Sequence, residues 1–295
     1  MLEPGAYGEL DVAPVDGEPV PRGTLRALAV SGRGSVDPDA PAVFADDEAF
    51  LRGRGAFETI RVYGGRPFRL EAHLERLARS ASRLGLPSPD LGALVEEALA
   101  AAGTDDAVLR IYWTPGRENT GRPLAYVLVR DLPDDLEVQR RRGLRLVSVR
   151  IGSEGPGLLA GVKSTSYAVN MVAVDEAKCR GGDDALLLGA ADVVLECPTS
   201  NVWWRRGATL FAPAVELGIL AGVTRSVLLE LAPGLGYELS EGSFALGDVV
   251  GADEVFTSSS VREVMPVAAV DGRRYALGPA AAKLQRELRS VATSR

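Results

Sequence analysis

Lys163 sits between two contrasting runs. The small apolar stretch Gly157-Leu158-Leu159-Ala160-Gly161-Val162 precedes it, and the compact polar stretch Ser164-Thr165-Ser166-Tyr167 follows. That setting predicts a partly desolvated ammonium, although most lysines are solvated surface groups. Desolvation lowers a lysine's pKa, and perturbed lysines cluster at functional sites. Further on, Asp192-Val193-Val194-Leu195 reads as a buried strand that delivers Glu196 into the turn Cys197-Pro198-Thr199-Ser200-Asn201. A carboxylate placed there usually has a partner. Three further segments suit an anion. His73 and Arg76, three residues apart on a predicted helix, point to nearly the same side. The glycine-rich turn Gly218–Gly222 leads into Val223 and Thr224, a plausible N-cap whose helix would present free N–H groups. The run Thr257-Ser258-Ser259-Ser260 is a phosphate ligand set only if it meets Arg76 and Thr224 in space, and otherwise a polar turn.

Composition narrows the chemistry. The 295 residues suffice for two domains, and 46% apolar with 25% charged residues is ordinary for a globular protein. A formal charge of −7 argues against a nucleic-acid surface, so any phosphate is bound locally. Cys179 and Cys197 are too few and too far apart for a zinc site or a disulfide framework, which favours a reducing cytoplasm and no metal. Met1-Leu2-Glu3-Pro4-Gly5 lacks the basic and apolar parts of a leader, and no apolar run is long enough to span a bilayer. No G-x-G-x-x-G fingerprint is present, which disfavours nicotinamide binding.

The elements that must hold these residues follow from periodicity. Residues 1–25 read as a loose extension rich in Pro, Gly and acid. Strands are predicted at Leu25–Val30 and Gly55–Tyr63, the latter entering a Gly64-Gly65 hairpin turn. Apolar residues at Leu70, Leu74, Leu77, Ala81 and Leu84 predict a helix ended by Gly85 and Pro87, and a second helix spans Leu91–Ala102. Strands at Ala107–Trp113 and Ala125–Val129 flank a loop, 115–121, suited to a pocket wall. The charged segment 130–135 reads as a linker, giving a small N-terminal α+β domain over 26–133 and a larger β-rich domain over 134–295, with the trio Arg140-Arg141-Arg142 as solvated surface. In the second half, strands are expected at Leu144–Ile151, Ala185–Leu188, Val193–Glu196, Val202–Trp204, Thr209–Ala212 and Glu254–Phe256. Helices are expected over Tyr167–Cys179, carrying Lys163 near its start, from Val223 to Ala232, and from Pro279.

The ordered set of His73-Leu74-Glu75-Arg76-Leu77, Lys163, Glu196 and Gly218 through Arg225 resembles the class IV, or fold-type IV, pyridoxal-phosphate aminotransferase family. That family also contains 4-amino-4-deoxychorismate lyase. The resemblance implies a two-domain fold with the cofactor in the cleft, a homodimer, and pyridoxal 5'-phosphate held as a Schiff base by Lys163. It further implies that Glu196 sits against the pyridine nitrogen, and that Arg76, the N–H groups of Val223 and Thr224, the Thr224 hydroxyl and Ser260 hold the phosphate. The activity implied is amino transfer between an amino acid and a 2-oxo acid. The alternatives are release of pyruvate from aminodeoxychorismate and, in another class, a non-catalytic pyridoxal-phosphate-binding protein. Thr114-Pro115-Gly116 lacks the arginine that D-amino-acid aminotransferases carry between Thr and Gly. Glu196-Cys197, Asn201 and Met265-Pro266 are similar to the lyases, but Tyr167 stands where those enzymes place an arginine.

Overall fold

The computed structural model describes residues 24–103, 105–152 and 156–294. The extension predicted over residues 1–25 lies almost wholly outside them. The first half comprises β1 (Leu25–Val30), β2 (Gly34–Val36), α1 (Glu48–Arg52), β3 (Ala56–Tyr63), β4 (Arg66–Pro67), α2 (Leu70–Arg83), α3 (Gly92–Ala102), β5 (Ala107–Thr114) and β6 (Leu124–Arg130). Its six strands form an antiparallel sheet in the order β2-β1-β6-β5-β3-β4.

One face of this sheet is closed and the other is open. Alternation along β3 sends Ala56, Ile60 and Val62 toward α2 and α3, where they pack with Leu77, Ala81, Val95, Leu109 and Ile111. The opposite face carries Phe57, Thr59, Arg110 and Tyr112, all only half-buried. Leu70, Leu74, Leu77 and Ala81 form the apolar stripe of α2, and the helix gives way to left-handed Gly85 at φ 73°.

The second half comprises α4 (Leu136–Arg142), β7 (Leu144–Arg150), α5 (Ala168–Cys179), β8 (Asp184–Leu188), β9 (Asn201–Arg206), β10 (Thr209–Pro213), α6 (Val223–Leu231), β11 (Glu238–Gly242), α7 (Leu246–Val250), β12 (Glu254–Ser259), β13 (Glu263–Val270), β14 (Arg273–Arg274) and α8 (Pro279–Thr293). Its sheet is mixed, in the order β11-β10-β9-β12-β13-β7-β8, with β14 hairpinned onto β13. Adjacent tryptophans on β9 serve opposite faces: Trp204 joins Leu146, Leu186 and Val255, whereas Trp203 stacks on Phe256 against α6 and α8. The architecture is therefore α/β, built on a six-stranded antiparallel sheet and an eight-stranded mixed sheet.

Four expectations are corrected. Val193–Glu196 is not a strand but pairs through isolated bridges at Val193 and Val194, because Ala191 and Asp192 adopt positive φ and reverse the chain after β8. Lys163 lies outside α5, since its segment is stitched to β3 instead: the Phe57 N–H donates to the Lys163 carbonyl (3.0 Å) and the Thr165 N–H to Gly55 (2.8 Å). Thr224 is not the N-cap of α6; Gly222 is, and Thr224 lies within the first turn. Arg140 is not solvated, because it donates to the Arg262 and Val264 carbonyls and to the buried carboxylate of Glu263.

Candidate active site

The Gly218–Gly222 turn is where the distant segments meet. The Gly161 N–H, two residues before Lys163, donates to the Gly218 carbonyl at 3.0 Å. The Leu220 N–H donates to Glu196 Oε1 at 3.1 Å, while Asn201 Nδ2 donates both to Glu196 Oε2 (3.1 Å) and to the Leu220 carbonyl (2.9 Å). Arg76 Nη1 reaches across from α2 to the Ala221 carbonyl at 2.8 Å. Three segments that are far apart in sequence thus hold one five-residue turn. Gly222 must be glycine here, since a Cβ on it would run into the side-chain carbonyl of Asn201.

Lys163 is poised on the open face of the first sheet. Its backbone N–H donates to Ser80 Oγ at 3.1 Å, and its Nζ lies 4.4 Å from the centre of the Phe57 ring and 5.9 Å from that of Tyr167. Phe57 stacks on Tyr112 and meets Tyr167 edge-on, so three aromatic rings wall this side. Burial brings the Lys163 ammonium down to about 8, with Glu58 pulling the other way and Arg76 adding to the fall. Burial likewise pushes the Glu196 carboxyl up to about 7, opposed by the Leu220 N–H and by the charges of Lys163 and Arg76. No carboxylate forms an ion pair with Lys163 among the described residues, which leaves the amine available.

The anion-binding candidates divide into those the turn brings together and one it does not. The amides of Val223 and Thr224 precede the first bond of α6, which runs from the Ser226 N–H to the Gly222 carbonyl. The Thr224 hydroxyl has no hydrogen-bond partner among the described residues. Both residues are buried, two and three positions after Ala221, whose carbonyl accepts from Arg76 Nη1. Ser260 follows β12, whose Ser258 pairs with Asn201, and its neighbour Val261 accepts from Arg61 Nη1. No hydrogen bond among the described residues joins Ser260 to Arg76 or Thr224.

Two groups escaped the sequence reading. Glu58, fully buried, accepts from Arg76 Nε and Nη2 and from His73 Nδ1, each at 2.8 Å. Burial alone would raise its pKa, but these partners hold it at about 2, while burial lowers that of His73. Arg110, opposite Thr59 on β5, has a buried Nε with no partner and no ion pair among the described residues. Each breaks the pattern of its strand: Glu58 is a charge among the core-facing positions 56, 60 and 62, and Arg110 is a charge inside an apolar run. That break was the available signal.

Comparison with known proteins identifies the family. Residues 55–270 match the family described as Amino-transferase class IV. The chain is 32% identical over 265 residues to the bifunctional aminodeoxychorismate lyase / D-amino acid transaminase of Mycobacterium tuberculosis, covering 83% of this chain and 92% of that one. It is 31% identical over 263 residues to the aminodeoxychorismate lyase of Bacillus subtilis, covering 84% and 88%. Among solved structures, a hypothetical aminotransferase from Mycobacterium tuberculosis in its PLP-bound form superposes with a TM-score of 0.85 at 30% identity, covering 90% of this chain and 99% of that one.

Proposed function

The chain belongs to the class IV aminotransferase family, and on that premise we propose that it is a pyridoxal-phosphate-dependent enzyme moving an amino group between an amino acid and a 2-oxo acid. The observation that carries this reading is the convergence of Glu196, Arg76 and, through Gly161, the Lys163 segment on the Gly218–Gly222 turn. The residues present fit the cofactor: an amine without an ion pair, a half-buried carboxylate held from two sides, and an arginine on the turn that leads into an unpartnered hydroxyl and free helix amides. When bound, pyridoxal phosphate supplies an aldehyde for the lysine and a ring that accepts an electron pair.

The chain's own groups do the rest. Lys163 Nζ, neutral in an appreciable fraction near pH 7, holds the cofactor covalently. The same nitrogen, when free, would take the proton from the substrate α-carbon. Glu196, fixed by Asn201 and Leu220, keeps the ring nitrogen protonated. Arg76, the Val223 and Thr224 amides and the Thr224 hydroxyl would grip the phosphate. Arg110, half-buried on the Phe57 face, is the counter-charge for the substrate carboxylate, and the three rings form an apolar wall beside it.

The division between the domains falls near residue 133, between β6 and α4. We further propose a homodimer, with the exposed apolar residues Val169 and Val172 of α5 on the face where a second copy of the chain docks. No helix among the described residues is long and apolar enough to cross a membrane, and we place the enzyme in the cytoplasm.

A second reading, release of pyruvate from aminodeoxychorismate, is favoured by the Mycobacterium tuberculosis relative, which is named for both activities. It is weakened by Tyr167, whose ring lies beside Lys163 and whose hydroxyl donates to the Pro198 carbonyl. A half-reaction separates the two. Given single L- or D-amino acids without an acceptor, an aminotransferase releases one equivalent of 2-oxo acid per subunit. Catalytic pyruvate release from aminodeoxychorismate, with no 2-oxo acid from any amino acid, overturns the assignment.

A further inference from the structure

Arg76 reaches the glycine turn from the other half of the molecule, and a flexible arginine does so reproducibly only if something fixes its plane. Glu58 is that constraint. Its two oxygens take Nε and Nη2 in a fork-to-fork pair, which leaves Nη1 as the nitrogen directed at Ala221. His73 donates to the same Oε2, so the carboxylate cannot turn to follow the arginine. The apolar neighbours Ala56, Ile60 and Val62 on this face of β3 make a buried charge here costly, and a well-packed apolar set would serve stability as well or better.

We propose that Glu58 is a positioning residue for phosphate recognition: it holds the Arg76 guanidinium by one edge so that the remaining nitrogen faces the amino end of α6. The inference rests on the reading that Arg76 and α6 grip the cofactor phosphate. The low pKa of Glu58 supports it, because a carboxylate held at about 2 stays charged across the whole range in which the phosphate changes ionisation. Glu58→Gln keeps the shape but replaces one accepting oxygen with a donor that repels the guanidinium. The carboxylate also repels a phosphate, so if charge alone mattered the substitution would tighten binding.

The test compares equilibrium binding of pyridoxal 5'-phosphate and of dephosphorylated pyridoxal to the apoprotein, followed by tryptophan fluorescence, in the parent, Glu58→Gln, Glu58→Asp, Arg76→Gln and the Glu58→Gln/Arg76→Gln double variant. In Glu58→Gln the preference for the phosphorylated form is expected to fall about tenfold or more, with pyridoxal affinity unchanged. The double variant is expected to lose no more than Arg76→Gln alone. Glu58→Asp, which keeps the charge but draws it back, shows the same loss if position matters, and it serves if Glu58→Gln fails to fold. If Arg76→Gln lowers the preference while Glu58→Gln and Glu58→Asp leave it unchanged, tighten phosphate binding, or weaken both ligands alike, the positioning role is overturned and the phosphate site stands. If Arg76→Gln leaves the preference untouched, the phosphate site itself falls, and this inference with it.

Discussion

The chain has three lysines, Lys163, Lys178 and Lys283, and two of them serve as internal controls for the third. Lys178 and Lys283 are exposed, whereas burial brings Lys163 down to about 8. Glu58 and Glu196 both favour the ammonium, so the depression is what remains after both have opposed it. At pH 7 a group with a pKa near 8 is neutral in about one molecule in eleven, against about one in 2,500 for an ordinary lysine near 10.4. The amine of Lys163 is therefore about two hundred times more available. Trace acetylation of the apoprotein between pH 6 and 11, read peptide by peptide by mass spectrometry, should give a midpoint near 8 for Lys163. The same shift has a stability consequence. Between pH 8 and about 10.4 the unfolded chain still holds this proton and the folded one has lost it, so the apoprotein gains stability from this group as pH rises through that window. A midpoint for Lys163 indistinguishable from those of Lys178 and Lys283 would refute the desolvation argument.

Glu196→Gln should retain the cofactor yet lower kcat by about 10²-fold or more, because an amide cannot hold a protonated ring nitrogen as a carboxylate does; turnover equal to the parent would make Glu196 structural. Arg110→Gln should raise KM for the amino acid about tenfold or more with a smaller effect on kcat, as expected for loss of a charge-assisted contact present before the chemical step; an unchanged KM removes Arg110 from the substrate site. Gly222→Ala should cost about 1–3 kcal/mol and lower Tm by several degrees, since its Cβ displaces Asn201 from Glu196 and Leu220; calorimetry showing an unchanged Tm would mean that the turn is not tightly packed.

How much of this was legible depended on whether the signal was local. The periodicity of α2 gave the helix and the side on which His73 and Arg76 lie, and the Gly64-Gly65 pair gave the β3–β4 hairpin, since each rests on spacing within a few residues. Val193–Glu196 looked like a strand because β-branched and apolar residues suit one, but the positive φ of Ala191 and Asp192 depends on tertiary packing and has no glycine to announce it. The register that stitches Lys163 to β3 is set by Gly55 and Phe57, more than a hundred residues earlier, so a helix seemed the simpler host. Arg140 was hidden for a similar reason: three consecutive arginines read as a solvated run, and only the arrival of Glu263 on β13 draws one of them inward. Glu58 and Arg110 were detectable as charges that break their strands' patterns, but their partner and its absence, respectively, are facts of three dimensions.

The central claim is that Lys163 is the residue that holds the cofactor. Protein purified with pyridoxal phosphate, reduced with borohydride, digested and mapped by mass spectrometry tests it directly, because a reduced link survives proteolysis. The phosphopyridoxyl mass should appear once per chain on the peptide containing Lys163, and Lys163→Ala should abolish it. Modification confined to Lys178 or Lys283, or none at all in fully loaded protein, would contradict the account.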